Sequence, residues 1–405
     1  MQLGARNLAG SCTASLYDSM TILHITADMD PRSGGVCQAV RTMIAGLAGR
    51  GVSSEVVSLD DPTLSYVAAA QFPLHALGPG RGPWTYSPRL GPWLADNLRR
   101  FDAVVVHGLW LYTSYAARRA WRSQGAAAPP LFVMPHGMLD PYFQRAPGRR
   151  IKAVRNWLYW KVVEGAVINE ATGVLFTCEE ERRLAREPFR PYQPKRELVV
   201  GLGVEEPPAF SPVMRAASAA ALPTVHQPYL LFISRIHEKK GVDMLVSAYA
   251  DGAAGPTGPP LVVAGPGLET PYGHVVRAIA TGATAGAVTF PGMLAGDAKW
   301  GAFYGAAAFV LPSHQENFGI AVVEALACGK PVLISNQINI WREIEAAGAG
   351  LVADDTPAGT HELLARWAQL PAAEQQAMGQ RARASFERYF AVGPATDRLL
   401  AALVP

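Results

Sequence analysis

Two carboxylates and two cations carry most of the chemistry that can be read in this sequence. Glu316 and Glu324 stand eight residues apart, with Asn317-Phe318-Gly319 directly after the first, and earlier in the chain Arg235 precedes Lys240-Gly241. A carboxylate that accepts two O–H groups holds a vicinal diol of the kind sugars offer, through charged hydrogen bonds worth about 1.5–3 kcal/mol each. A guanidinium fork and an ammonium, with a glycine that admits close backbone approach, suit a diphosphate. Taken singly, two glutamates at this spacing are also what a solvated helix carries, and two cations what a surface loop carries. Their joint presence favours a ligand that combines hydroxyls with phosphate.

The surrounding sequence supplies elements to aim them. Residues 307–311 read as a buried parallel strand ended by Pro312-Ser313, and Ile320–Ala327 as a helix with Gly329 at its end and Pro331 barring continuation. Tyr229–Ile233 is a second such strand and runs into Arg235 and Lys240. In a strand–loop–helix–strand unit the ligand lies beyond the carboxyl end of the strand, where free N–H groups at a helix start attract phosphate. Glu316 then reaches in from the loop and Glu324 from the helix.

The first half follows the same grammar. Apolar runs at 22–25, 103–106, 131–134 and 174–176 alternate with helical stretches such as 36–47, the pattern of parallel strands joined by helices. Segments 77–92 and 251–260, dense in Gly and Pro, read as surface loops. Gly34-Gly35 can bring bare backbone against a phosphate or sugar, with a tight turn as the ordinary alternative; the third glycine of a dinucleotide fingerprint is missing, which argues against a nicotinamide or flavin enzyme. His107-Gly108, with Trp110 nearby, and His136-Gly137 each follow an apolar strand at once, where ligands bind. Asp140 reads as a turn cap before Pro141, and Thr177 as the cap of a helix opened by Glu179, Glu180 and Glu181. Within 145–163, at about 100° per residue, Ile151, Val154, Leu158 and Val162 share one face while Trp157 and Trp160 lie on another among cations. Such a helix either rests on anionic lipid headgroups or packs on the core with a solvated basic face.

Together with Ala264-Gly265-Pro266-Gly267 and Phe290-Pro291-Gly292, these motifs resemble the retaining glycosyltransferases of family 4, from about Met20 onward, with Ser234 where the family usually has Gly. The resemblance implies an α/β chain of the GT-B fold, two doubly wound Rossmann-like domains facing across a cleft. These would be an acceptor-side domain at 20–204, on which 390–405 packs back, and a nucleotide-sugar donor domain at 205–389. It implies that Glu324 holds the donor ribose, that Glu316 faces the donor sugar, that Arg235 and Lys240 bind the diphosphate, and that N–H groups around Asn317, Phe318 and Gly319 complete the cradle. His136 matches the histidine that contacts the donor sugar at the reacting side, and Gly34 and Gly35 fall near the donor phosphates. His107 and Trp110 are acceptor-side candidates, with a structural role equally open for His107. The implied reaction moves a hexose, with retention, from a nucleoside diphosphate sugar to a hydroxyl of a lipid-linked or growing glycan in surface polysaccharide assembly, with neither metal nor other cofactor. A nucleotide-sugar 2-epimerase and a noncatalytic nucleotide-sugar-binding subunit are the alternatives.

Composition narrows the field further. A chain of 405 residues, 49% hydrophobic and 17% charged, is globular and too long for one ordinary core. Its four cysteines, at 12, 37, 178 and 328, have neither disulfide nor zinc spacing, which points to a reducing cytoplasm. No apolar run reaches the ~18–20 residues of a membrane span, and no signal-peptide pattern is visible, which disfavours a periplasmic sugar-binding protein. Residues 1–19 are expected to form a loose extension, upstream of a natural start at Met20. The net charge of +3 divides into +6 over residues 1–205 and −3 over 206–405. That excess is too small for nucleic-acid binding but favours contact of the first half with an anionic membrane, at the inner face of the cytoplasmic membrane.

Overall fold

Aliphatic runs with little polar alternation form strands covered on both faces, and the chain uses them throughout. The structure, a computed structural model, describes residues 19–146, 148, 150–225, 228–255, 258–283 and 287–404. The expected extension at 1–19, apart from Ser19, lies outside these residues, as does Cys12. Cys37, Cys178 and Cys328 are buried free thiols.

The first sheet contains β1 (Thr21–Ile25), β2 (Ser53–Ser58), β3 (Leu74–Ala76), β4 (Ala103–His107), β5 (Leu131–Met134), β6 (Gly173–Phe176) and β7 (Glu197–Val199), in the order β3-β2-β1-β4-β5-β6-β7. The second contains β8 (Tyr229–Ile233), β9 (Leu261–Ala264), β10 (Val288–Gly292), β11 (Ala306–Leu311), β12 (Val332–Ser335) and β13 (Gly350–Ala353), in the order β10-β9-β8-β11-β12-β13. The strand pairs run parallel, as helical crossovers require. By contacts the chain separates into two compact units, Met1–His107 with Leu111–Phe132, and Gly108–Trp110 with Val133–Pro405.

Burial explains the near-continuous hydrophobic strands. Leu230, Leu231, Phe232, Phe309, Val310, Leu333 and Ile334 are all fully buried, because helices cover both faces of the second sheet. Strand order reverses between β8 and β11 there, and between β1 and β4 in the first sheet. At such a switch point two neighbouring loops diverge and leave room beyond the strand ends, where ligands of doubly wound sheets bind. The loop after β8 carries Arg235 and Lys240, and the loop after β11 carries Glu316.

Several local expectations need correction. The loop placed at 77–92 ends earlier, since a helix occupies Leu90–Asn97 and Pro92 fits its first turn, where its missing N–H costs nothing. Thr177 does not cap the Glu179–Ala185 helix; Cys178 does, its sulfur accepting from Glu181 N at 3.4 Å. Within 145–163, the Arg150–Tyr159 helix runs into a π turn at Trp160–Glu164. The core-packing reading of its Ile151/Val154/Leu158/Val162 face is overturned, because all four side chains are exposed. The core takes the other side instead: Trp160, expected among surface cations, is buried and stacked on Phe189 at 4.8 Å.

Among the described residues no helix is long and apolar enough to cross a membrane. Val392–Leu403, the last helix, is fixed to the segment after β7, where Arg398 donates to Val200 O at 3.1 Å. Replacing Phe309, at the centre of the second sheet, with Ala removes a fully buried ring from β11. The expected loss is about 3–5 kcal/mol, read as a lowered urea midpoint; an unchanged midpoint would show that the sheet tolerates the cavity.

Candidate active site

The loops after β8 and β11 are fastened together before any side chain reaches a ligand. Gly241 adopts φ 62°, in the left-handed region, and a Cβ there would lie 2.2 Å from Pro312 O. With only a hydrogen at that position, the Glu238–Lys240 turn seats on the end of β11. Lys239 O then accepts from His314 N and from Ser313 Oγ, each at 2.9 Å. Behind the β11 loop, Glu316 N donates to Gln337 O and Asn339 N donates to Glu316 O, both at 3.0 Å. Gly265 has a similar part beside Arg235, since a Cβ on it would strike Ser234 O.

On this frame each carboxylate meets an ammonium. Lys240 Nζ donates directly to Glu316 Oε1, with side chains only 12% and 18% exposed. Lys299, from the Gly296–Gly305 helix, donates to Glu324 Oε1 at 2.7 Å and lies 4.5 Å from the Trp300 ring centre. Burial, then the charges of Lys239 and Arg235, push the Lys240 ammonium down to about 7. The Glu316 carboxylate pulls the other way. An ammonium has three N–H donors, so Lys240 can keep Glu316 and still address a phosphate. Arg235 is exposed at the strand end, free to reach the same ligand.

Four residues beyond Glu316 the Ile320–Ala327 helix begins. Gly319 precedes it at φ 74°, and helix geometry leaves its first N–H groups without intrahelical acceptors. Val322 N is taken up by Gly319 O at 2.9 Å, and no acidic side chain occupies that turn, so the N–H groups of Ile320 and Ala321 make the helix end suited to an anion. Phe318 is buried edge-on to Phe390 and anchors the loop rather than exposing a ring.

The turn after β5 is joined to the same loop. A Cβ on Gly137 would lie 2.5 Å from Asn317 Cγ, so the His136-Gly137 turn and Asn317 are in direct contact. Asn317 Nδ2 donates to Thr177 Oγ1 at 3.2 Å, while its Oδ1 is buried without a hydrogen-bond partner among the described residues. Glu181, itself buried, accepts from Gly137 N at 2.5 Å, from Thr177 N at 2.7 Å and from Thr177 Oγ1 at 2.6 Å. Burial raises the Glu181 carboxyl, and these donors oppose it. His136 has φ 52°, a strained value for a residue with a Cβ, and burial lowers its ring to about 4. Its neutral imidazole can donate from one nitrogen and accept at the other. Asp140 does cap its turn, accepting from Tyr142 N at 2.8 Å, and it also accepts from Gln315 Nε2 at 3.0 Å.

The remaining candidates sit elsewhere. Gly34, in the first unit, takes φ 94° and opens the Gly35–Ala48 helix; Cβ atoms on Gly34 or Gly35 would meet nothing within 4 Å, so this backbone faces open space. His107 is buried at the end of β4, its Nε2 2.9 Å from His24 Nδ1 with the rings stacked. Trp110, at φ 73°, packs against Tyr159 and Phe189. Sequence reasoning missed Lys299, Gln315 and His24, and read Glu181 only as an acid at a helix start. Of the three missed, only His24 left a trace, as a polar residue inside an apolar strand.

The sequence model described as "Glycosyl transferases group 1" matches residues 215–385, and that described as "Glycosyl transferase 4-like domain" matches residues 34–203. The chain belongs to the family 4 glycosyltransferases of the GT-B type. Over 177 residues it is 33% identical to a D-inositol 3-phosphate glycosyltransferase of Mycobacterium tuberculosis (strain F11), covering 42% of this chain and 35% of that one. Over 185 residues it is 31% identical to the protein of the same name from Rhodococcus jostii (strain RHA1), covering 44% and 40%. The match thus spans less than half the length of these relatives. Among solved structures, sucrose-phosphate synthase from Thermosynechococcus elongatus aligns with a TM-score of 0.67 at 20% identity over 95% of this chain and 99% of that one. Anabaena HepE in complex with UDP aligns with 0.72 at 17% identity, over 95% and 99%. These likenesses establish the fold.

The Lys240 environment predicts a pH dependence. A diphosphate favours the charged ammonium and raises its pKa on binding, so affinity is constant below about 7 and falls as pH rises through that value. Titrating a nucleoside diphosphate sugar, whose diester oxygens keep their charge across this range, by calorimetry at several pH values checks this, and Lys240→Arg should remove the slope. A flat wild-type profile would mean that the pull of Glu316, rather than burial, sets the charge.

Proposed function

We propose that this glycosyltransferase moves a hexose from a nucleoside diphosphate sugar to a hydroxyl of a lipid-linked or growing glycan, with retention at the anomeric carbon. The observation that carries this reading is the Lys240–Glu316 contact at the switch point of the second sheet, next to the open start of the Ile320–Ala327 helix. It supports the reading because an ammonium suits a phosphate and the carboxylate beside it suits hydroxyls. HepE structures with UDP and with UDP-glucose support a nucleotide sugar as the donor class.

In this reading Glu324 accepts the ribose hydroxyls, with Lys299 holding its second charge face, and Glu316 accepts hydroxyls of the sugar. Arg235, Lys240 and the first-turn N–H groups stabilise the leaving diphosphate. As the bond from the anomeric carbon to the phosphate oxygen breaks, negative charge grows on that oxygen, so these donors act most strongly in the transition state. The acceptor oxygen forms its bond on the same face, and its proton passes to the departing phosphate oxygen. Neutral His136 positions the sugar by hydrogen bonds. No metal is invoked, because these cations and N–H groups supply the positive charge. The setting proposed is the inner face of the cytoplasmic membrane, in the assembly of surface polysaccharide.

A hydrolysis and binding screen over a panel of nucleotide sugars tests the reading, with product configuration followed by NMR. Inversion of the anomeric carbon would refute retention, and epimerised sugar formed without acceptor would favour a 2-epimerase. Lys240→Ala should lower kcat by about 10²–10³-fold in protein that still folds, with a lowered unfolding midpoint because Glu316 is left unpaired. Glu324→Ala should instead weaken nucleotide binding by roughly tenfold or more. Intact nucleotide affinity with altered sugar choice would show that the two glutamates exchange roles.

A further inference from the structure

We propose that the Arg150–Tyr159 helix and the turn after it are the surface by which this protein docks on an anionic lipid bilayer, lying in the headgroup plane with its apolar stripe inserted. The inference deepens the reading of a lipid-linked acceptor and rests on it for its purpose, while its geometry stands independently. Ile151, Val154 and Leu158 are 88%, 60% and 53% exposed, and Val162 in the π turn is 78% exposed. Few other stretches leave large apolar side chains so open to water, and here they follow one another along one element.

Their arrangement on the helix identifies the partner. Advancing about 100° per residue, Ile151, Val154 and Leu158 form one stripe, and buried Asn156 lies on the opposite side, toward the core. Exposed cations flank the stripe on both sides, Arg150 on one and Lys152 and Arg155 on the other. Lys161 continues the first flank, its Nζ on Arg190 O at 2.8 Å and 5.7 Å from the Trp157 ring centre. No acidic residue occurs from 150 to 163, and Glu164 is buried.

An apolar ridge between two rows of positive charge matches a plane of anionic headgroups over hydrocarbon. Long basic side chains can reach up to the phosphates while the stripe sinks below them, and half-exposed Trp157 suits the interface. A second copy of this chain is a poorer occupant, because two-fold packing of the ridge would set like charges against each other on both flanks.

Flotation of the full chain with vesicles tests the docking. Binding is expected to phosphatidylcholine vesicles containing phosphatidylserine and not to pure phosphatidylcholine, and it should weaken as salt rises. Ile151→Glu with Leu158→Glu should reduce it at least about tenfold, and each of Arg150→Glu and Lys152→Glu on the order of fivefold or more. These exposed substitutions should leave the unfolding midpoint and donor hydrolysis in solution unchanged. The proposal is overturned by absent vesicle binding, by binding equal on both vesicle types, by variants that bind like the parent, or by a concentration-dependent dimer that the Glu variants dissolve in place of vesicle binding. Donor hydrolysis lost with docking intact would instead sink the transferase reading and leave the membrane surface standing.

Discussion

The switch-point end of the second sheet depends on one missing methyl group. With a side chain at Gly241, the turn bearing Lys240 could not rest against Pro312, and the two switch-point loops would part. The backbone bonds from His314 and the contact between Lys240 and Glu316 are downstream of that approach. A glycine here fixes the distance between a cation and a carboxylate that lie far apart in sequence. The chemistry is set by backbone packing first and by side-chain type second.

That order explains what was legible beforehand. Tyr229–Ile233, Leu131–Met134 and Ile320–Ala327 stand where their apolar runs place them, because a buried strand and a compact helix leave strong local patterns. Lys240, Glu316 and Glu324 could be singled out because each sits at a fixed offset from such an element. Glu181 could not. Its carboxylate serves the N–H groups of Gly137 and Thr177, and a partner four residues away or in another loop leaves the same letters in the sequence as a solvated helix glutamate. Lys299 hid for the same reason, since only the fold brings its helix to Glu324. The face of 145–163 was ambiguous because periodicity gives an apolar stripe without saying which way the helix is turned; the burial of Trp160 settles that.

Electrostatically the free site is already neutralised. Each carboxylate proposed to receive hydroxyls carries a lysine, so an incoming diphosphate meets ammonium groups and not bare negative charge. The pairs also hold both glutamates in fixed rotamers ahead of the ligand, which reduces the ordering left for binding to impose. Partial burial strengthens these contacts relative to surface pairs and makes a half-empty arrangement unfavourable.

Glu181 draws a different consequence from burial. A carboxylate sealed away from water is tolerable only while its three donors are in place, and losing its companions costs about 3–5 kcal/mol for a buried charge. The turn bearing His136 is therefore held through these bonds, and loosening it would leave burial, which already raises the Glu181 carboxyl, unopposed. Glu181 thus ties the turn beside Asn317 to the strand end bearing Thr177 through one carboxylate, though it need never touch a substrate.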